Sequence, residues 1–327
     1  MVFYNSLNTI FKVRPETFSG LALDVFRFQY EHNPLYRSYT DTLGIRPDDV
    51  HTLTGIPFLP VSFFKTHTVH TTEFTPQAVF ESSGTTGTGG SRHEIKDLQL
   101  YRTSFTKGFE LFYGPIRDFC IIGLLPAYLE RTGSSLVVMV NEMIALSDHP
   151  DSGFYLYEHG KLYDLLQDLE AKGQKTLLIG VTFALLDFAE KYSLRLEHTI
   201  VMETGGMKGR RKEITRPELH AFLQDRLGVK AVHAEYGMTE LLSQAYSAGE
   251  GLFECPPWMQ VLVRKEDDPL DISHGGEGLL NIIDLANIYS CSFLAVDDIG
   301  LIRPDGAFQV SGRVDNSDIR GCSLMVL

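Results

Sequence analysis

The ten residues from Ser82 to Ser91 are all Gly, Ser or Thr, and they follow a strand-like stretch, Gln77 to Phe80. Glycines let a backbone turn successive N–H groups inward, and hydroxyls add donors, which together suit a polyphosphate. No Gly-Lys-Ser/Thr closes the run, so it is not a Walker loop. The same composition also describes a flexible Gly/Ser linker. A second segment, Glu203-Thr204-Gly205-Gly206, follows the apolar stretch Thr199 to Met202. Its glycines would let a flat base approach the backbone, or would simply make a tight turn between a strand and a helix. The third, Glu235-Tyr236-Gly237-Met238-Thr239-Glu240, offers a ring for stacking, a hydroxyl for phosphate and a carboxylate for Mg²⁺. A solvated loop with a core tyrosine is the plain alternative. The fourth is Val296-Asp297-Asp298-Ile299-Gly300, with Gly312-Arg313 beyond it. A carboxylate near a sheet edge can hold both ribose hydroxyls and an arginine can take phosphate or ribose, although such residues are also common in turns.

Regular elements must hold these segments. The chain up to about Pro76 reads as mostly helical, with Ala22, Val25, Phe26 and Phe28 on one face of a helix over Gly20 to Tyr30. Ile56 to Phe64, rich in Pro and aromatics, reads as an extended packed loop. Leu162, Leu165, Leu166 and Leu169 follow helical spacing and stop near Gly173. A strand over Thr176 to Ile179, a helix over Thr182 to Lys191 and a strand over Thr199 to Met202 come next. A helix over Arg211 to Leu227 then ends at Gly228 and leads into a strand over Val229 to His233. Strand and helix alternating through short connections predict βαβ units and a parallel sheet. In such a sheet, ligands bind outside the carboxyl ends of the strands, where the second and third segments should lie. Beyond Trp258 the pattern becomes short strands, Met259 to Val263, Gly278 to Ile283, Gly300 to Arg303 and Ala307 to Val310, the last two joined by the turn Arg303-Pro304-Asp305-Gly306.

Composition narrows the class. The 327 residues are 43% hydrophobic and 22% charged, enough apolar material for a sizeable core in an ordinary soluble protein. A formal net charge of -13 with no long basic run argues against a nucleic-acid partner. Cys120, Cys255, Cys291 and Cys322 stand far apart, without a C-x-x-C pair, which fits neither a zinc site nor a disulfide framework. Met1 to Arg14 lacks the pattern of a signal peptide. Phe119 to Leu129, the most apolar segment, is broken by Pro126 and too short to span a bilayer. A cytoplasmic protein without stable membrane insertion is expected.

The order SSGTTG, ETGG, EYGMTE, DDIG and GRVDNSDIRG resembles the adenylate-forming superfamily of acyl-CoA ligases. The closer resemblance is to the acyl-protein synthetase (LuxE-like) family, through IPFLPVSFFKTH from Ile56, LLPAYLERTGSSLV from Leu124, METGGMKGR from Met202 and RGCSLM from Arg320. That family supplies activated fatty acid to a reductase in bacterial bioluminescence. The resemblance implies an α/β fold like the large N-terminal domain of adenylate-forming enzymes, with parallel sheets flanked by helices and a β-rich C-terminal part. It implies one domain over residues 1–327, with a helical part over 1–76, a nucleotide-binding α/β part over 77–257 and a β-rich end over 258–327. It implies ATP and Mg²⁺ as cofactors, a fatty acid as substrate, and an acyl-reductase, acyl carrier or transferase protein as partner.

Site roles follow from the same resemblance. Ser83, Gly84, Thr85, Thr86 and Gly87 would embrace the β- and γ-phosphates. Gly205 and Gly206 would line the adenine, with Tyr236 stacked on it and Gly237 beside it. Thr239 would touch the α-phosphate and Glu240 would hold Mg²⁺. Asp298 would bind the ribose hydroxyls, with Arg313 nearby, and Cys322 would accept the acyl group. Leu124 to Leu129 with Phe63 and Phe64 could line an acyl channel, or be core. Two features depart from the superfamily. Arg92 and His93, after an extra Gly-Gly, stand where a lysine is usual, and the chain stops at Leu327, without the small lid domain and its catalytic lysine. The departures favour a protein-bound thioester. A phenylacetate-type CoA ligase and a non-catalytic nucleotide-binding subunit remain as alternatives.

Overall fold

The computed structural model describes residues 7–82, 90–125, 133–205 and 214–314. Helices α1 (Pro15–His32) and α2 (Pro34–Thr42) open the chain, followed by β1 (Leu59–Pro60) and the single turn α3 (Phe63–Thr66). Strands β2 (Ala78–Glu81) and β3 (Arg92–Ile95) form an antiparallel pair ahead of α4 (Leu98–Tyr113). The α/β part then runs β4 (Cys120–Leu124), α5 (Ser135–Ser147), β5 (Gly153–Phe154), α6 (His159–Ala171), β6 (Thr176–Val181), α7 (Thr182–Lys191), β7 (Thr199–Thr204), α8 (Arg216–Leu227) and β8 (His233–Tyr236). It is followed by β9 (Ala245–Ser247), β10 (Leu252–Phe253), β11 (Met259–Arg264), β12 (Ile272–Ser273), β13 (Gly276–Asp284), β14 (Phe293–Ile302) and β15 (Phe308–Arg313).

One sheet has the order β5-β4-β6-β7-β8-β9, parallel except for β9. Its middle strands β4 and β6 are buried at every residue. Helices cover both faces of such a sheet, so its strands read as unbroken apolar runs rather than alternating ones. A second sheet has the order β10-β15-β14-β13-β11-β12, with β1 joining β14 in parallel. The helical start therefore packs on the β-rich end. Gln29 of α1 donates to the carbonyls of Asn287 (3.2 Å) and Ile288 (3.0 Å), and its own oxygen accepts from the Ser292 amide at 2.9 Å.

The structure moves several expected boundaries. The strand expected over Val229 to His233 is β8 at His233–Tyr236, so Glu235 and Tyr236 lie on a strand instead of following one. Val229 and Val232 are buried without entering the sheet. Helix α8 starts at Arg216, not Arg211, because Thr215 and Glu218 close a capping box around Pro217 in the first turn. Asp297 and Asp298 are not turn residues. They lie inside β14, which begins at Phe293, well before Gly300, and carries a register shift between Ile299 and Gly300. The stretch from Ile56 is not wholly extended, since α3 follows β1.

Candidate active site

Parallel pairing sets Glu203 beside Ala234 and Thr204 beside Glu235, which brings the second and third segments together at adjacent strand ends. Antiparallel pairing of β14 with β15 sets Asp298 opposite Arg313. The two sheets meet at Tyr236. Its hydroxyl donates to Asp298 Oδ2 at 2.7 Å, and Arg313 Nε lies 3.7 Å from Asp298 Oδ1. Tyr236 of β8 and Arg313 of β15 thus converge on the Asp298 carboxylate of β14. Burial pushes the Asp298 carboxyl up, while the Tyr236 hydrogen bond and the Arg313 charge pull it down. The Tyr236 ring is packed by Phe253 and Phe308, with centroids 5.8 and 5.5 Å away.

Thr239 and Glu240 sit in the turn after β8. His93 on β3 faces the Thr239 carbonyl, with Nδ1 2.8 Å from the oxygen, and Asn287 Nδ2 donates to the Glu240 carbonyl at 2.7 Å. Asp284 holds the next residues, accepting from the amides of Leu242 (2.8 Å) and Ser243 (2.9 Å). Glu240 itself is buried, and that burial raises its carboxyl pKa against the lowering effects of a Ser91 hydrogen bond and of the Arg313 and Lys65 charges. Burial also pushes His93 down to about 4, which leaves a neutral imidazole.

A second group of charges, centred on the buried Glu203, underlies the strand ends. Arg216 Nε bonds Glu203 Oε1 at 2.9 Å, its Nη1 donates to the Val310 carbonyl at 3.2 Å, and its guanidinium lies 5.2 Å from the Phe253 ring centre. Arg216 therefore ties α8, β7, β10 and β15 together behind Tyr236. Glu235 accepts from the Thr204 hydroxyl; burial, aided by the Glu203 charge, pushes its carboxyl up to about 7. A Cβ on Gly237 would sit 2.4 Å from Glu235 Oε1, so a larger residue there would have to displace that carboxylate. Gly205 has φ +66° and its carbonyl accepts from Thr182 Oγ1 at 2.6 Å.

The flanks of the glycine run are well anchored. The Ser82 amide donates to the Ser91 carbonyl at 3.0 Å, the Ser91 amide donates to Ser82 Oγ at 2.8 Å, and a Cβ on Gly90 would lie 2.0 Å from the Ser82 carbonyl oxygen. Ser83, Gly84, Thr85, Thr86, Gly87, Gly206 and Cys322 lie outside the described residues, as do 126–129 of the suggested acyl channel. Leu124, Leu125 and Phe64 are fully buried, with Phe64 edge-on to the His93 ring at 5.4 Å. Packing therefore accounts for these three.

Among the described residues no group of three or more His, Cys, Asp or Glu could hold a metal ion. A Mg²⁺ held by one carboxylate and the substrate's phosphates needs no such group, and Glu240 beside Ser91 fits that donor set. No helix of the described residues is long and apolar enough to cross a membrane. Sequence reasoning missed Glu203's pairing with Arg216 and the role of Asn287. It met His93 only as a departure from a pattern. Nothing local marks these residues, since each acts on a segment distant in sequence.

Solved structures share this architecture. The chain aligns with 2-hydroxyisobutyryl-CoA ligase in complex with 2-HIB-AMP at TM-score 0.62 and 15% identity, over 92% of this chain and 68% of that one. It aligns with ATP-bound MatB from Rhodopseudomonas palustris at TM-score 0.55 and 18% identity, over 72% of this chain and 48% of that one. The chain thus spans about half the length of MatB. At these identities the likeness is one of fold alone. Two curated relatives, both named long-chain-fatty-acid–luciferin-component ligase, match over nearly the whole chain. The Aliivibrio fischeri protein is 22% identical, over 96% of this chain and 89% of its own, and the Vibrio harveyi protein 21%, over 94% and 86%. The model of the family acyl-protein synthetase, LuxE, matches residues 12–327, and the chain belongs to that family, a ligase by class.

Proposed function

We propose that this protein activates a fatty acid with ATP and passes the acyl group to a thiol of its own, Cys322. The observation that carries the first half is the meeting of Tyr236 of β8 with Asp298 of β14 and Arg313 of β15, across two sheets. A structural network would serve equally well with hydrophobic partners, whereas a partly screened carboxylate beside a tyrosine and an arginine suits a ribose next to a base. Tyr236 stacks on the adenine that Gly205, Gly206 and Gly237 admit, and Asp298 takes the ribose hydroxyls. Ser83 to Gly87 hold the β- and γ-phosphates, and Thr239 touches the α-phosphate. The fatty carboxylate attacks the α-phosphorus, the bond to the bridging oxygen breaks, and pyrophosphate leaves. A carboxylate is a weak nucleophile, so the protein's contribution is alignment and neutralisation of charge on the phosphates. Glu240 would hold Mg²⁺, which supplies part of that neutralisation when bound. We read residues 1–76, 77–257 and 258–327 as parts of one catalytic domain, working in the cytoplasm.

In the second step the Cys322 thiolate attacks the acyl carbonyl, the thioester forms, and AMP leaves with its electron pair; the thiol proton goes to solvent or a base. The family description, acyl-protein synthetase, supports a protein acceptor. The other three cysteines are the weaker candidates for it: burial pushes Cys120 up to about 11, Cys291 to about 12 and Cys255 up as well. Thiolates, not thiols, are the nucleophiles. An acyl-reductase, acyl carrier or transferase protein would then receive the group. The expected result is fatty-acid-dependent ATP–pyrophosphate exchange by wild-type protein and by Cys322→Ser, with hydroxylamine-labile acyl label retained only by wild type. Label on Cys322→Ser equal to wild type would remove the protein-thioester step, and a CoA requirement would replace it with CoA ligation.

A further inference from the structure

We infer that His93 and Asn287 are positioning residues for the reaction, each holding one backbone carbonyl of the Thr239-Glu240 pair and so fixing where its hydroxyl and carboxylate point. The inference rests on the proposed roles of Thr239 and Glu240. Its basis is geometric. His93 Nδ1 is 2.8 Å from the Thr239 oxygen and Asn287 Nδ2 is 2.7 Å from the Glu240 oxygen. A carbonyl only accepts, so Nδ1 carries a proton and donates whatever the charge on the ring. Both side chains are fully or almost fully buried, where a carbonyl without a donor is costly and the bond is correspondingly firm.

The two donors come from unrelated parts of the chain. His93 lies on β3, just past the glycine run, with its ring wedged against Phe64. Asn287 lies in the 3₁₀ turn Leu285–Asn287 between β13 and β14. That turn is braced by Gln29, which donates to the Asn287 carbonyl at 3.2 Å, and by Asp284, which accepts from the Ala286 amide at 3.1 Å. Asp284 also accepts the amides of Leu242 and Ser243. The dipeptide is thus tied to the phosphate-loop hairpin on one side and to the second sheet on the other. A displacement of about 1 Å in such a pair can cost on the order of 10²-fold in rate.

The test uses the full chain with ATP, Mg²⁺ and palmitate. His93→Leu and Asn287→Leu are expected to lower kcat of ATP–pyrophosphate exchange by about 10- to 100-fold and to raise several-fold the Mg²⁺ concentration at half-maximal rate, with the KM for palmitate unchanged. His93→Asn, whose amide nitrogen stands near the place of Nδ1, is expected to recover most of both. ¹⁵N spectra of the imidazole in protein without nucleotide or metal are expected to show His93 protonated on Nδ1. A His93 bare at Nδ1 overturns the inference, and that measurement stands even if a leucine variant fails to fold. Folded variants with wild-type kcat and Mg²⁺ dependence, in a wild-type protein that does exchange, remove this inference alone. Absence of exchange by wild type removes the adenylation reading and this inference with it.

Discussion

Glu240 and Glu235 are both buried carboxylates of one six-residue segment, yet their surroundings set them to different tasks. Glu240 has Ser91, Arg313 and Lys65 to favour its charge, although burial outweighs them. A Glu240→Gln substitution keeps the shape and removes the charge. If Glu240 neutralises phosphate through Mg²⁺, exchange by this variant falls about 10²-fold or more, while its urea midpoint stays near wild type. Glu235 instead faces Glu203 and is raised to about 7. Its folded pKa lies above the unfolded value, so the folded state binds the extra proton between roughly pH 4.5 and 7, and stability falls as pH rises through that window. His93, held down to about 4, acts in the opposite sense: its contribution is lost as pH falls from about 6.5 towards 4. The two partly cancel in wild type. Glu235→Gln separates them: its stability at pH 8 relative to pH 5 should be higher than wild type's by up to a few kcal/mol, an order of magnitude set by the linkage. Parallel pH profiles of melting temperature for the two proteins would show that Glu235 does not titrate in this range.

The elements that matter most for the site are those that cross between sheets. Helix α8 contributes Arg216 at its first turn, and that one side chain reaches β7 through Glu203, β15 through the Val310 carbonyl and β10 through the Phe253 ring. Replacing Arg216 with Ala leaves the buried Glu203 carboxylate without its arginine, with His220 Nε2 3.8 Å away. Breaking a buried pair from one side costs roughly 3 kcal/mol, here somewhat less because the arginine is partly exposed. The expected signature is a lower urea midpoint with unchanged slope, partly restored in the Arg216→Ala/Glu203→Gln double variant. A double variant no more stable than Arg216→Ala alone would show that the ion pair is not what holds these elements together.

For the whole molecule, the proposed site lies where a mostly parallel sheet and a mostly antiparallel one meet, and neither sheet holds it alone. Tyr236 belongs to the first and Asp298 and Arg313 to the second. A ligand touching all three should tie the sheets together and stabilise the fold by mass action, about 2.7 kcal/mol at a hundred times its Kd. ATP and AMP are therefore expected to raise the melting temperature, and GTP is not, because a purine with a different edge would meet the backbone near Gly205 and Gly237 differently. Equal protection by GTP would remove the adenine assignment while leaving the phosphate contacts in place.

Local signals in the sequence determined much of this. Leucine spacing gave α6, Gly228 marked the end of α8, and the order of five short motifs pointed to the family. These features depend on neighbours within a turn or two of chain, where periodicity and turn chemistry act. The tertiary structure decided what depends on distant partners. Asp298 could be read as a turn residue, but within β14 it pairs with Arg313 of β15. Val229 to Val232 is apolar enough for a strand, yet the register with β7 begins only at His233. Arg216, His93 and Asn287 carry no local mark at all. Each acts across 13, 146 or 47 residues of sequence on a group that only the folded chain brings within hydrogen-bonding distance, and hydrogen bonds at that range are set by packing rather than by the residues next door.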